Sequence, residues 1–198
     1  MAKRLFDVVI AFAGLFVFGL LMLAIAIWIR MDSAGPVLFR QQRVGRGGRL
    51  FKIHKFRTMA ADAPALGPAI SVDRDPRITK AGAWLRRSKL DELPQLFDVL
   101  LGDMSIVGPR PEVPQYVALY PAALRDQVLS VRPGITDPVS LEFADEGERL
   151  AAAADPEREY CEVILPTKLK AAAAYAQQAT VLSDLHVVWR TMTLLWRR

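Results

Sequence analysis

Asp91 and Glu92 stand side by side in the run Ser88-Lys89-Leu90-Asp91-Glu92-Leu93-Pro94-Gln95, behind Arg86 and Arg87. Few other side chains here could carry acid–base or covalent chemistry. The two histidines, His54 and His186, lie far apart, which argues against a histidine-rich zinc site. The single cysteine, Cys161, excludes an internal disulfide, is compatible with a reducing compartment and reads as a packed small hydrophobe. The chemistry of a site therefore falls to carboxylates. Cations that could serve them are near at hand. Arg110 is locked between Pro109 and Pro111, so its backbone is stiff and not comfortably helical. A planar five-donor fork presented with little entropy left to lose suits a phosphate. Lys55 and Arg57, in Lys55-Phe56-Arg57-Thr58-Met59, could add to a phosphate-binding wall. Each feature also has a plainer reading: a carboxylate pair that only starts a helix, a surface arginine in a turn, a basic face against lipid headgroups.

The elements that must position these residues follow from the flanking pattern. Leu90, Leu93, Leu96, Phe97, Leu100 and Leu101 recur at helical spacing and predict a helix beginning at the carboxylates. Two starts are open. Ser88 with Asp91 three residues on has a capping-box pattern; alternatively Asp91 caps and Pro94 falls in the first turn, where its missing N–H is not needed. Either start puts both carboxylates at the positive end of a helix dipole, which favours their ionised form. Residues 60–78 are polar and proline-bearing and read as a loop, with a helical pattern from Thr79 onward. Residues 112–130 resume a helical pattern, Val131-Arg132-Pro133-Gly134-Ile135-Thr136 is a stiff loop, and residues 148–180 are alanine-rich and helical with Pro156 and Pro166 as breaks. Upstream, Gly45-Arg46-Gly47-Gly48 is a turn between extended pieces at 37–44 and 50–56. No G-x-G-x-x-G follows a buried strand and no Walker lysine is present, so these glycines do not indicate a nucleotide fold.

Residues 5–29 contain one charge, Asp7, and as a helix reach roughly 37 Å, enough to span a hydrocarbon layer. Lys3 and Arg4 flank one end, with Trp28 and Arg30 at the other. The run is too long for a signal peptide, no small-residue cleavage site closes it, and a basic segment follows. A fully buried soluble helix is the bland alternative. Between Asp32 and Asp62 no acid occurs, while Arg40, Arg43, Arg46, Arg49, Lys52, Lys55 and Arg57 recur. The positive-inside rule then puts the bulk of the chain in the cytoplasm, and basic residues near anionic headgroups are worth ~1 kcal/mol each. A straight span and a helix that enters and leaves on one face both remain open. The second needs a break, and Gly14 and Gly19 are the weak points. Near the C-terminus Leu185, Val188, Trp189, Met192, Leu195 and Trp196 share one helical face, which fits an interfacial helix or one packed on the domain. With 198 residues, a formal charge of +5 and 52% apolar content, the expected organisation is a membrane-embedded helix (1–32) and one compact domain (33–198). The expected fold class is mostly α with a short β-hairpin.

Several stretches together resemble a known family. They are Lys3-Arg4-Leu5-Phe6-Asp7, Gly35-Pro36-Val37-Leu38-Phe39-Arg40-Gln41-Gln42-Arg43-Val44-Gly45, Phe51-Lys52-Ile53-His54-Lys55-Phe56-Arg57-Thr58-Met59, Asp75-Pro76-Arg77-Ile78-Thr79-Lys80, Leu90-Asp91-Glu92-Leu93-Pro94-Gln95, Gly108-Pro109-Arg110-Pro111-Glu112 and Arg132-Pro133-Gly134-Ile135-Thr136. Tyr160, Lys168-Leu169, Tyr175 and Asp184 are weaker echoes. In this order they resemble the small monotopic phosphoglycosyl transferases, bacterial sugar transferases acting on polyprenyl phosphate. The resemblance implies a re-entrant N-terminal helix without the extra spans of larger relatives. It also implies a cytosolic domain with interfacial helices on the cytoplasmic face of the bacterial inner membrane. The implied reaction moves sugar-1-phosphate from a UDP-sugar to undecaprenyl phosphate and releases UMP, the first membrane step of glycan assembly. Asp91 is the implied nucleophile, through a covalent phosphosugar–aspartate. Mg²⁺ is implied, bound through Asp91 and donor phosphate oxygens. Glu92 assists the second step or positions groups, Arg86 and Arg110 match positions used around the phosphates, and Lys55 or Arg57 joins them. Membrane phospholipids are implied partners, nucleic acid is not, and a homo-oligomer is left open. On this reading the helix N-terminus, Arg86 and Lys89 lower the Asp91 pKa while Glu92 opposes them.

Two departures stand out: Phe18-Gly19 occupies the place where the family commonly breaks its membrane helix with Ser-Pro, and Asp137 follows Thr136 where a glycine is usual. The rival functions are a membrane-tethered, non-catalytic anion or nucleic-acid binding protein built on the basic run, and a lipid-diphosphate hydrolase using the same site.

Overall fold

The computed structural model describes residues 2–63, 75–139 and 146–196. The apolar run forms one unbroken helix, α1 (Ala2–Asp32), about 46 Å long at 1.5 Å per residue. Among the described residues it is the one helix long and apolar enough to cross a membrane. The break expected near Gly14 or Gly19 is absent. A lone glycine costs a helix only about 1 kcal/mol relative to alanine, and no proline removes a hydrogen bond here. Gly14 instead allows close approach, since a Cβ there would meet Leu96 Cδ1 at 3.0 Å.

Helix α1 lies against the rest of the chain along one face. Ala11 and Leu15 join a core with Leu96, Val99, Met104 and Val107, while Met22, Ile25 and Ile29 join another with Phe56 and Leu85. The opposite face is bare: Leu5, Phe12, Phe16, Leu20, Leu23 and Ile27 are exposed. Polar anchors fix both ends. Arg4 donates to the carbonyls of Val99 and Leu100 at 2.7 and 3.0 Å. Lys3 donates to the Val107 carbonyl at 3.0 Å and pairs with the buried Asp184, which also accepts from the Tyr175 hydroxyl at 2.6 Å. Asp7, the one charge in the apolar run, is buried and accepts from Ser105 Oγ (2.8 Å) and Ile106 N (3.0 Å). A carboxylate can be retained in such a place because its acceptors are satisfied. At the other end Asp32 Oδ2 accepts from the Ala81 amide at 3.1 Å, and Trp28 meets Trp84 edge-on at 5.4 Å.

The predicted hairpin is present as antiparallel β1 (Leu38–Val44) and β2 (Leu50–Phe56), paired from Leu38↔Phe56 to Val44↔Leu50. It divides the basic run. Arg40, Arg46, Arg49 and Lys52 are exposed, whereas Arg43 and Lys55 are partly covered and Arg57 is buried. Met59 and Ile78 form an isolated antiparallel bridge, joining the ends of the predicted loop, whose residues 64–74 lie outside the described part.

Helix α2 (Lys80–Ser88) starts where Thr79 Oγ1 accepts from the Gly82 amide at 3.0 Å. It stops at Lys89, a non-glycine residue in the left-handed region at φ 58°. Leu90–Glu92 form a single 3₁₀ turn, and α3 (Gln95–Leu101) begins after Pro94 with no side-chain cap. Both predicted helix starts are therefore corrected. Ser88 closes the preceding helix, its hydroxyl donating to the Trp84 carbonyl at 2.9 Å. Asp91 sits in the joint between two helices, because the left-handed Lys89 ends α2 before a new helix can begin.

Beyond α3, β3 (Ser105–Val107) and β4 (Gly134–Thr136) pair in parallel. The predicted helix over 112–130 is split into α4 (Pro114–Val117) and α5 (Ala122–Val128) around Pro121, whose missing N–H cannot continue a helix. Then come α6 (Glu146–Ala152), α7 (Pro156–Glu159), a π-helical turn at Tyr160–Ile164, α8 (Leu165–Gln178) and α9 (Val181–Trp196). Pro166 does not break the chain. The preceding π turn leaves it in the first turn of α8, where its N–H is not needed. On α9, Asp184 and Val187 are buried while Leu182, Leu185, Trp189 and Met192 are exposed; the side chains of Leu195 and Trp196 lie outside the described part. The described chain is thus mostly helical with one short hairpin.

Candidate active site

Asp91 and Glu92 occupy consecutive positions of the 3₁₀ turn, and the structure brings two separate elements to them. Lys55, from β2, donates through Nζ to Glu92 Oε1 at 2.8 Å. Arg110 donates through Nη2 to the same oxygen at 2.9 Å. Arg110 is carried by a loop fixed on both sides of it. The β3–β4 pairing runs on through Gly108 N to the Thr136 carbonyl and Gly134 N to the Pro109 carbonyl, each 3.0 Å. These backbones approach so closely that a Cβ on Gly134 would stand 2.1 Å from Gly108 N. After the arginine, Arg43 Nη1 donates to the Pro111 carbonyl at 3.0 Å, and the Val44 amide donates to the Glu112 carbonyl at 3.0 Å. Tyr160 then donates to Glu112 Oε1 at 2.7 Å. The two prolines noted in the sequence are thus one part of a larger brace.

Asp91 is differently placed. Its side chain is buried and its Oδ1 has no hydrogen-bond partner. A buried carboxylate oxygen without a donor is costly and marks a position that some group is expected to complete. Arg86 stands close enough to act on Asp91 by charge, and its Nε donates to Thr58 Oγ1 at 2.9 Å. Asp75 and Arg77 form a buried fork, with Nε and Nη2 on the two carboxylate oxygens at 2.9 and 2.6 Å. That pair in turn acts by charge on Arg86.

Burial raises the Asp91 pKa, the adjacent Glu92 raises it further, and Lys55, Lys89 and Arg86 pull it down without prevailing. The expected lowering is corrected: Asp91 lies in the 3₁₀ turn ahead of α3, which begins at Gln95, and desolvation dominates. Glu92 goes the other way. Burial pushes it up, but Arg110 and Lys55 together hold it well below the usual carboxylate range. The Lys55 ammonium is itself pushed down by burial, with Glu92 opposing.

Of the predicted cations, Lys55, Arg86 and Arg110 converge on the carboxylates. Arg57 does not. Its guanidinium donates to the carbonyls of Ala34 and Ser33 and to Ser33 Oγ, so it clamps the chain leaving α1. Arg57 shares the stretch Lys55–Met59 with Lys55 but lies beyond the end of strand β2 at Phe56, and its guanidinium is taken up by the chain after α1. Arg43, Glu112 and Tyr160 brace the site without having been singled out for it; the signal available was that Arg43 and Glu112 lie in the family-like stretches and Tyr160 is a weaker echo of them. Among the described residues no group of three or more His, Cys, Asp or Glu side chains could cage a metal. The orphan Asp91 oxygen does fit a hard cation of the Mg²⁺ type, which commonly takes one or two carboxylates and completes its shell with water and phosphate oxygens.

The bacterial sugar transferase family model matches residues 1–198. The chain belongs to this family. A UDP-glucose:undecaprenyl-phosphate glucose-1-phosphate transferase of Caulobacter vibrioides is 35% identical over 195 residues, covering 98% of this chain and 69% of that protein. One of the same description from Xanthomonas campestris is 47% identical over 138 residues, 68% of this chain and 28% of its own length. A UDP-N-acetylgalactosamine-undecaprenyl-phosphate N-acetylgalactosaminephosphotransferase of Aeromonas hydrophila is 43% identical over 136 residues, 68% of this chain and 32% of its own. The chain spans less than two thirds of the length of most curated relatives it matches. The relatives' names differ in the sugar, so membership of the family does not select one.

Proposed function

We propose that this protein transfers sugar-1-phosphate from a UDP-sugar to undecaprenyl phosphate, as the first membrane step of building a bacterial glycan. The observation that carries this reading is the unpartnered, buried Asp91 oxygen beside a glutamate that two cations share. In the first step an Asp91 oxygen bonds to the β-phosphorus of the donor. The bond from that phosphorus to the bridging oxygen breaks, and UMP departs with the electron pair. In the second step a phosphate oxygen of the lipid attacks the same phosphorus, and the Asp91 carboxylate leaves. Arg110 and Lys55 bind and neutralise the diphosphate, and Arg86 supports the Asp91 side; phosphoryl transfer needs such positioning and charge compensation above all. Mg²⁺, held by Asp91 and donor phosphate oxygens, would supply further charge neutralisation. Glu92 is bound to both cations and held ionised, so its role is to position them, and it is a poor candidate for accepting a proton.

The lipid acceptor accounts for the apolar surface. The outer face of α1 and the exposed Leu185, Trp189 and Met192 of α9 would sit in the inner-membrane interface, with the site on the cytoplasmic side. Because α1 is continuous and tied to the domain at both ends, we place both its ends on the same face of the membrane, with the helix lying along that face.

The test is UMP release from UDP-sugars by purified protein with Mg²⁺ and undecaprenyl phosphate. Wild type is expected to release UMP and Asp91→Asn to lose at least about a thousandfold in rate, as expected for loss of a nucleophile. Equal turnover by the two would refute the nucleophile, and inorganic phosphate or sugar phosphate released without acceptor would indicate a hydrolase.

A further inference from the structure

Arg86 is carried toward Asp91 by α2, and one residue outside that helix, Thr58, meets the helix at three places. We propose that Thr58 is a positioning residue of the site, its hydroxyl setting the direction in which the Arg86 guanidinium faces. This rests on the transferase reading and adds to it what holds the cation on the Asp91 side.

Thr58 is buried just past the end of β2. Its carbonyl accepts from the Thr79 amide at 3.1 Å, where α2 starts. Three residues on, Gly82 lies so close that a Cβ would stand 2.0 Å from the same carbonyl oxygen. One turn further, Arg86 Nε donates to Thr58 Oγ1 at 2.9 Å. Positions 79, 82 and 86 share one face of a helix, so that face is seated on a single residue. The residues on either side of Thr58 are tied down as well. Arg57 is bound to Ser33 and Ala34, and Met59 bridges Ile78.

The kind of contact matters. Arg87 and Lys89 are exposed, whereas Arg86 is half-buried. Lys55 and Arg110 are held by the Glu92 carboxylate, which orients them and offsets their charge at once. The Thr58 hydroxyl is neutral, so it orients Arg86 without offsetting the charge that acts on Asp91. A guanidinium is planar, and holding Nε sets the plane in which Nη1 and Nη2 lie. Without that oxygen the long side chain regains rotamers and its charge loses direction. Helix α2 itself does not need the hydroxyl. Its start is capped by Thr79 and seated on the Thr58 carbonyl.

The experiment measures kcat and donor KM for UMP release by the full chain in one detergent, with thermal unfolding alongside. Thr58→Val removes the hydroxyl and keeps the bulk, while Thr58→Ser keeps the hydroxyl. Thr58→Val is expected to lower kcat about ten- to hundredfold, the share of one hydrogen bond to a charged group, and to leave donor KM nearly unchanged. Thr58→Ser should restore most of the rate. In an Arg86→Lys background, which has no guanidinium Nε–H, Thr58→Val should lower kcat by less than about twofold more. Wild-type kcat in Thr58→Val would overturn the assignment while leaving the transferase reading in place. An equal loss in Thr58→Ser, or an undiminished loss in the Arg86→Lys background, would do the same. If wild type releases no UMP, the transferase reading fails and this assignment with it. Thr58→Ala against Thr58→Ser repeats the comparison at smaller size, so a folding defect confined to Thr58→Val leaves the test intact.

Discussion

Replacing Glu92 by glutamine removes the one anion on which two cations converge. The Lys55 and Glu92 side chains are 15% and 12% exposed, so the ammonium loses its counter-charge where water cannot replace it. Deleting one partner of such a buried pair costs about 3–5 kcal/mol. Arg110 is 39% exposed and rehydrates, adding well under about 1 kcal/mol. The glutamine carbonyl still accepts one hydrogen bond, which favours the lower end, about 3 kcal/mol. In a chain of this size each kcal/mol moves Tm by about 2–4 °C, so a fall of about 6–12 °C is expected. The assay is thermal unfolding of both proteins in the same detergent at neutral pH. The pH dependence follows from the depressed pKa of Glu92. Its stabilisation is full above the unfolded glutamate value of 4.5 and disappears as pH falls toward the folded value. The gap between wild type and Glu92→Gln should therefore be constant from neutral pH to about pH 5 and close only in stronger acid. In a double-mutant cycle with Lys55→Met the two losses should overlap by about 1–3 kcal/mol. A Tm within about 1 °C of wild type at neutral pH would show that the shared oxygen holds nothing in place.

Asp91 carries the opposite sign. Its pKa is raised by burial and by Glu92, so ionisation opposes folding above the unfolded value of 3.8 and has no effect well below it. Asp91→Asn should raise Tm at pH 7 by about 2–4 °C, as for a stabilising change of about 1 kcal/mol, and the gain should vanish near about pH 3. A lower Tm at pH 7 would contradict the burial argument. For topology, cysteines placed singly at Ala2 and Ser33 in a Cys161→Ala background should both react with a membrane-impermeant maleimide in inverted vesicles and neither in intact spheroplasts. Reaction of the Ala2 position from the periplasmic side alone would establish a span.

The hairpin, α2 and the apolar helix were legible because each is written locally, in turn glycines, a threonine cap and an uninterrupted hydrophobic run. The pairing of Glu92 with Lys55 and Arg110 was not, since it joins residues 37 and 18 positions away. The support expected around the two carboxylates is placed differently in the fold. Ser88 and Asp91 both read as caps, and only the left-handed Lys89, a conformation propensity does not predict for lysine, turns that stretch into a joint. Arg57 and Lys55 looked equivalent at two-residue spacing, yet the strand ends between them. Asp7, the one charge in the apolar run, proves to be a buried acceptor for the strand that leads to Arg110.

On the proposed mechanism, the charge arrangement bears on how Asp91 would be kept reactive. A carboxylate stabilised by a helix dipole and several donors would be reliably ionised but a weaker nucleophile, because the new bond must replace those interactions. Here Asp91 has an oxygen with no donor to lose, and its neighbour rather than itself takes the hydrogen bonds of Lys55 and Arg110. Glu92 already neutralises those cations and holds them where, on the proposed mechanism, the donor's phosphates would arrive. Donor binding then adds negative charge to a pre-placed positive wall, with little reorganisation left for the transfer step. The apolar face of α1 fits the same logic: Lys3, Arg4 and Asp7 anchor the helix to the ends of α3 and β3. If the bare face of α1 lies in the membrane as proposed, the membrane surface would be fixed relative to the two elements that flank the carboxylate turn and the Arg110 loop, and with it the height at which a lipid phosphate would meet Asp91.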